Sequence, residues 1–224
     1  MKFGSVGTLE VREAMKIQLF FLFLGWVLGT ISPAIAERIQ RIFRKREIKD
    51  AIYLEMRDLK VKLASIIIYG EIEKGGLTKD LLRWFDEITS DATEFCDELT
   101  RDPRWKSFLE LDENVIRALS RAMLVSAGGR TSTYKRYALP YLESRIADLN
   151  LFPSDFQRKI ARIRGTLSAI NQEMDIHWFY FQKTFDGLSD SNHKIICTNQ
   201  KGSEAFITQL CRRNIRDIQT LLQL

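Results

Sequence analysis

An all-α chain, in which one N-terminal transmembrane helix continues into a cytoplasmic bundle of long antiparallel helices, is predicted by three features of these 224 residues. Residues 17–36, IQLFFLFLGWVLGTISPAIA, carry no charge. Downstream, apolar side chains recur at alternating three- and four-residue steps, the mark of a helix with one buried face. Nowhere does a period-two segment end in a turn dipeptide, so no hairpin is expected.

The apolar run comes first. At about 1.5 Å of rise per residue it makes a helix roughly 30 Å long, the thickness of a bilayer's hydrocarbon core. A helix satisfies its own backbone in lipid, where an irregular segment would not. The competing reading is a cleaved signal peptide. Ala34-Ile35-Ala36 has the small-x-small pattern of a cleavage site, and cleavage following Ala36 would give a secreted protein. Against export stand Arg38, Arg41, Arg44, Lys45, Arg46 and Lys49 immediately downstream. The preceding flank has only Lys2, Arg12 and Lys16, diluted by Glu10 and Glu13. The more basic flank stays on the cytoplasmic side, which places the N-terminus outside a bacterial inner membrane and the C-terminal part in the cytoplasm. Met15-Lys16 is a second position at which translation can begin, leaving residues 1–14 a tail of little structural consequence. Within the span, Gly25 and Gly29 form a G-x-x-x-G pair that lets a second helix approach closely.

The expected organisation is a short extracytoplasmic tail at 1–16, the transmembrane helix at 17–36, a basic juxtamembrane helix at 37–70 and a soluble helical bundle at 77–224. Charge is segregated along it. Residues 37–62 hold nine basic and five acidic groups, whereas residues 71–102 hold four basic and ten acidic groups. The basic collar fixes topology, and Arg38, Arg41, Arg44, Lys45 and Arg46 are candidate contacts for anionic lipid headgroups. Nucleic acid is the weaker reading of the net charge of +5. Three cysteines, Cys96, Cys197 and Cys211, with no close pairing, fit a reducing compartment.

Each helix follows from its own pattern. Ile52, Met56, Leu59, Leu63 and Ile66 form a stripe widened by Tyr53 and Ile67, and Gly75-Gly76 ends it. Span and stripe together make a rod of about 50 residues, with Pro33 as its kink. A second helix is expected from Thr78 to Thr100 on Leu81, Phe85, Ile88, Ala92, Phe95 and Leu99. Asp102-Pro103 starts a short helix around Trp105 and Phe108. Asp112 caps another with Val115, Leu119, Ala122 and Met123 inward. Pro140 opens a helix with Leu142, Ile146 and Leu149 on one side. After Pro153, with Ser154 as cap, the stripe Phe156, Ile160, Ile163, Leu167, Ile170, Met174, His177 or Trp178, Phe181 and Phe185 has the clearest periodicity. Gly187 closes that helix. A last one carries Ile196, Phe206, Leu210, Ile218 and Leu222, with a bend at Gly202.

Chemical signatures are sparse. His193 and Cys197 share a helix face, but metal-ligand spacing needs further partners, so no metal and no cofactor is expected. The paired E-x-x-H of a di-iron bundle is absent, and Glu173 and His177, four apart, stand alone. No G-x-S-x-G elbow occurs, and no catalytic residue is assigned. His177, inside the aromatic run His177-Trp178-Phe179-Tyr180-Phe181, is read as a partly buried, satisfied histidine rather than a base. Glu94, Asp97 and Glu98 read as a solvated acidic face. The loop at 128–137 lacks the G-K-[ST] ending of a P-loop. It nonetheless holds the candidate phosphate or nucleic-acid contacts Arg130, Tyr134, Lys135 and Arg136.

The expected role is therefore a binding or scaffold module at the cytoplasmic membrane face, not an enzyme. Its expected partners are the lipid bilayer and either a second copy or another protein docked on the helical stripes, with no small-molecule substrate identified. The alternatives are a toxin-like or defensive membrane effector acting through assembly of its span, and a regulator responsive to nucleotides or nucleic acid.

Overall fold

Apolar spacing of three and four residues does fold into helices throughout. The computed structural model describes residues 7–90, 104–126 and 134–224, and every regular element among them is helical. Expectations for Ala92, Phe95, Leu99, the acidic stretch Glu94–Glu98, the Asp102-Pro103 cap and Arg130 lie outside the described residues. The chain divides into two units, Met1–Lys49 and Asp50–Leu224. Residues 50–70, expected as the end of the juxtamembrane helix, belong to the second.

Helix α1, Gly7–Glu73, contributes to both units and contains Pro33 within it. Proline removes one backbone donor, and the helix nonetheless continues through it. Nearby, the Thr30 hydroxyl donates to the carbonyls of Trp26 and Val27, both at 3.0 Å, and so is satisfied within the helix. In the first unit the apolar side chains Phe21, Leu22 and Trp26 are all exposed.

In the second unit the same helix behaves differently. Ile52, Met56, Leu59, Leu63 and Ile66 are buried as their spacing predicts. Between residues 59 and 68, however, burial spreads to Lys60, Val61, Ala64, Ser65, Ile67 and Ile68, covering almost the whole circumference. A helix buried on nearly all sides is a central one, wrapped by its neighbours rather than laid on them. Each fully buried Ile or Leu there contributes about 1.5–3 kcal/mol of transfer free energy. The helix ends where Gly75 takes φ 65°, with Gly76 N–H donating to Glu71 O at 2.8 Å. That left-handed residue satisfies the last carbonyls at no steric cost.

Helix α2, Lys79–Thr89, is capped by the Thr78 hydroxyl, which accepts from Leu81 N–H at 3.2 Å. Leu82, Phe85 and Ile88 are buried, whereas Leu81 is half-buried. Helix α3, Arg104–Ser107, runs into a 3-10 turn at Phe108–Glu110. Helix α4, Glu113–Ser126, starts at Asp112, whose carboxylate accepts from Asn114 N–H at 2.8 Å. Its inward face is rotated from the expected one: Ile116 and Ser120 are buried, while Val115 and Ala122 are exposed. Ser120 faces inward because its hydroxyl accepts the buried N–H of Leu77 at 3.4 Å.

Helix α5, Pro140–Ser144, has proline in its first turn as expected, but is only five residues long before a 3-10 turn at Ile146–Leu151. Leu142 is buried and Ile146 is exposed, so the expected single face does not form. Helices α6, Ser154–Lys183, and α7, Asp190–Leu222, pack extensively against each other. They run antiparallel: Lys159 Nζ donates to Thr220 O, Arg162 meets Asp217, and Ser203 donates to Glu173 O. Pro153, not Ser154, holds the N-cap position of α6, without a side-chain cap bond. The α6 stripe is buried from Phe156 to Met174 and continues through His177, leaving Trp178 and Phe185 exposed. Helix α7 continues through Gly202. Its expected members Ile196 and Phe206 are not buried. The buried face instead includes Gln200, Ser203, Glu204 and Asn214 among Ile207, Cys211, Ile215, Ile218 and Leu221.

Candidate functional site

Residues with chemical potential fall in three places. The first is the apolar part of α1. Among the described residues it is the helix long and apolar enough to cross a membrane, and none of its most apolar stretch is buried. A Cβ built on Gly25 or Gly29 meets no neighbour within 4 Å. The candidate lipid contacts Arg38, Arg41, Arg44, Lys45 and Arg46 are all exposed.

The second lies inside the Asp50–Leu224 unit. Residues 134–139 form no regular element, and Tyr134 turns inward at their start. Its ring meets that of His177 edge-on, with centroids 5.0 Å apart. Its hydroxyl is buried without a hydrogen bond, and so is Glu204 Oε1, although Lys74 Nζ lies 2.9 Å from that oxygen. Both atoms border Gly70, where an added Cβ would sit 3.4 Å from Glu204 Oε1 and 3.9 Å from Tyr134 Oη. A side chain at residue 70 would crowd these polar groups. Burial, reinforced by Glu204 and Glu73, drives the Tyr134 hydroxyl pKa upward. Burial also lowers the His177 pKa, outweighing the opposite pull of Glu204, Glu73 and Glu173. Burial thus favours the neutral imidazole at His177. The Cys211 thiol, buried nearby on α7, is pushed up to about 12 by desolvation.

The third is a cleft of about 390 Å³ between residues 136–143 and one face of α6. The Asn171 amide builds its wall, accepting from Tyr137 N–H at 3.0 Å and donating to Tyr137 O at 2.8 Å. An amide that pairs with both backbone groups of one residue satisfies them where no regular element does, and so fixes that segment in place. Leu139 and Leu167 are buried beneath, and Arg136, Arg164, Ser168 and Gln172 also line the cleft. Arg136 forms a two-pronged pair with Asp175, Nε lying 2.8 Å from Oδ1 and the second guanidinium nitrogen donating to Oδ2. The pair raises the Arg136 pKa and lowers that of Asp175.

The candidate contacts of the loop thus part company. Tyr134 enters the interior, Lys135 is exposed, Arg136 is paired on the cleft rim, and Arg130 lies outside the described residues. Sequence reading missed Asn171, Arg164 and Glu204. A signal for Glu204 existed, because Gln200, Ser203, Glu204 and Asn214 occupy the three-four register of α7 together with its apolar residues. On α7, His193 Nδ1 and Cys197 Sγ are 3.7 Å apart, and among the described residues no third potential ligand joins them.

The chain matches no protein-family model, no curated protein and no solved structure. Its chemistry has to be read from its own side chains.

Proposed function

We propose that this chain is a single-pass inner-membrane protein that holds a bundle of long antiparallel helices at the cytoplasmic face as a binding or scaffold module. The observation that supports this reading is the contrast between an apolar stretch of α1 that is nowhere buried and a unit that fills its core from its own residues. An apolar helix with no protein around it needs lipid or a partner helix. The basic residues Arg38 to Arg46 then set the orientation and contact anionic headgroups, while Gly25 and Gly29 give copies a face on which to associate. The unit beyond residue 50 offers a second recognition surface, including Trp178, Phe179 and Phe185, which are exposed near the α6–α7 connection.

Membrane fractionation combined with paired reporters fused after Leu224 tests this reading. The expected outcome is retention in the membrane pellet at alkaline pH, with only the cytoplasmic reporter active. Activity of the periplasmic reporter alone, or a mature protein beginning at Glu37, overturns it.

A further inference from the structure

In the cleft beside α6, the visible ion pair uses only half of the available charge. Arg136 and Asp175 satisfy each other, and Asn171 is committed to the Tyr137 backbone. Arg164, half-buried on the same wall, and Glu143 on the facing segment have no side-chain hydrogen bond or ion pair among the described residues. Ser168 and Gln172, one and two turns beyond Arg164 on α6, are likewise unengaged. The cleft therefore presents an unpaired guanidinium with a neighbouring hydroxyl, an unpaired carboxylate, an aromatic ring and an apolar floor.

Those groups specify a ligand chemistry. A guanidinium beside a hydroxyl suits a phosphate, to which it donates through a planar fork. Tyr137 also lines the cleft, and a tyrosine ring can pack against a flat heterocycle. An unpaired carboxylate accepts from an amino group and disfavours a ligand without a donor there. A volume of about 390 Å³ is in the range of small-ligand sites and too small for a folded partner. We infer that the cleft binds a nucleoside monophosphate bearing an exocyclic amino group, its phosphate on Arg164 and Ser168, its base against Tyr137 and its amino group on Glu143. The site stands whether or not residues 17–36 cross a membrane.

Thermal-shift and calorimetric titration of the full chain in detergent micelles, with AMP, CMP, GMP, UMP, the free nucleosides and inorganic phosphate, tests this. At least one amino-bearing monophosphate is expected to raise the melting midpoint by several degrees at saturation, and to bind at least tenfold more tightly than UMP. Arg164→Gln is expected to weaken that ligand tenfold or more while leaving the ligand-free midpoint unchanged, because Arg164 has no hydrogen-bond or ion-pair partner to lose among the described residues. Glu143→Gln should erase the preference over UMP. Asp175→Asn, which releases Arg136 toward the cleft, should tighten phosphate-bearing ligands several-fold. Absence of binding by every monophosphate overturns the inference, as does equal binding by Arg164→Gln or binding of inorganic phosphate as tightly as the nucleotides.

Discussion

Two stretches of α1 are apolar around most of their circumference, and they meet opposite environments. In residues 17–36 the large side chains Phe20, Phe21, Leu22, Phe23 and Trp26 are all 60% exposed or more. In residues 59–68 Val61, Leu63, Ala64 and Ile67 are 0% exposed. Hydrophobicity alone does not distinguish them, since burial against protein and immersion in lipid both remove apolar surface from water. Charge spacing does. The first stretch has no ionisable group in twenty residues, whereas the second contains Lys60 and Lys62 and follows directly on Asp58. Lys62 and Asp58 pair at 2.6 Å, so the central helix of the unit keeps a charged edge that a membrane interior would penalise.

Substitutions that exchange the two environments break this comparison most sharply. Ile67→Asp puts an unpaired carboxylate into the fully buried stretch and should cost about 3–5 kcal/mol, lowering the urea midpoint of the Asp50–Leu224 unit or abolishing its cooperative transition. Retention of the parent midpoint would mean that residue 67 is not enclosed. Leu22→Arg makes the equivalent change in the exposed stretch. On a water-exposed helix it would be neutral; in lipid it should cost about 2.5–3.5 kcal/mol of insertion and reduce the alkali-resistant membrane fraction. The urea midpoint of the second unit should not move.

The smallest effect concerns the polar residues within the buried contacts. His177 has a folded pKa below its usual value because burial disfavours the imidazolium. Between that lowered value and the unfolded value of 6.5, the unfolded chain binds the extra proton, so stability should fall as pH drops through this window. Chemical denaturation at pH 7.5 and pH 5.5 should show the loss, and His177→Gln should flatten that slope. An unchanged slope in the variant would assign the acid sensitivity to other groups. Glu113 acts in the same sense at lower pH. Its carboxylate pKa is lowered chiefly by accepting Lys79 N–H at 2.9 Å, and its contribution is lost as pH falls through that lowered value. Glu55 runs the other way. Burial raises its pKa despite bonds from Tyr141 and Leu142 N–H, so its contribution declines as pH rises from the unfolded toward the folded value.

Where helical signals were local, they were legible. Thr78, Asp112, Pro140 and Gly75-Gly76 sit at the helix ends their chemistry suggests, because capping depends on backbone groups within a few residues. Inward faces were legible wherever they were apolar throughout, as in α6 from Phe156 to Met174. They were misread wherever a polar side chain takes a core position. Ser120 rotates the face of α4, and Glu204 and Asn214 hold inward places on α7 while Phe206 stays outside. A purely apolar pattern has no means of marking such residues, whose burial depends on partners distant in the chain.

The candidate site divides in the same way. Arg136 was identifiable as a basic residue of a polar loop, but its bond to Asp175 spans thirty-nine residues and has no trace in local spacing. Asn171 looked like an ordinary helix-surface amide until Tyr137 came to lie beside it.

By itself, the order of residues determined the helical class, the helix ends and the presence of a membrane-length apolar run, because these depend on interactions within one or two turns or on length and charge alone. Only the tertiary structure decided that residues 59–68 are enclosed on nearly all sides, that polar groups share the α7 core, and that Arg164 and Glu143 line one cleft with neither paired among the described residues. Those outcomes depend on which distant surfaces meet, and solvent exclusion is a property of the assembled packing.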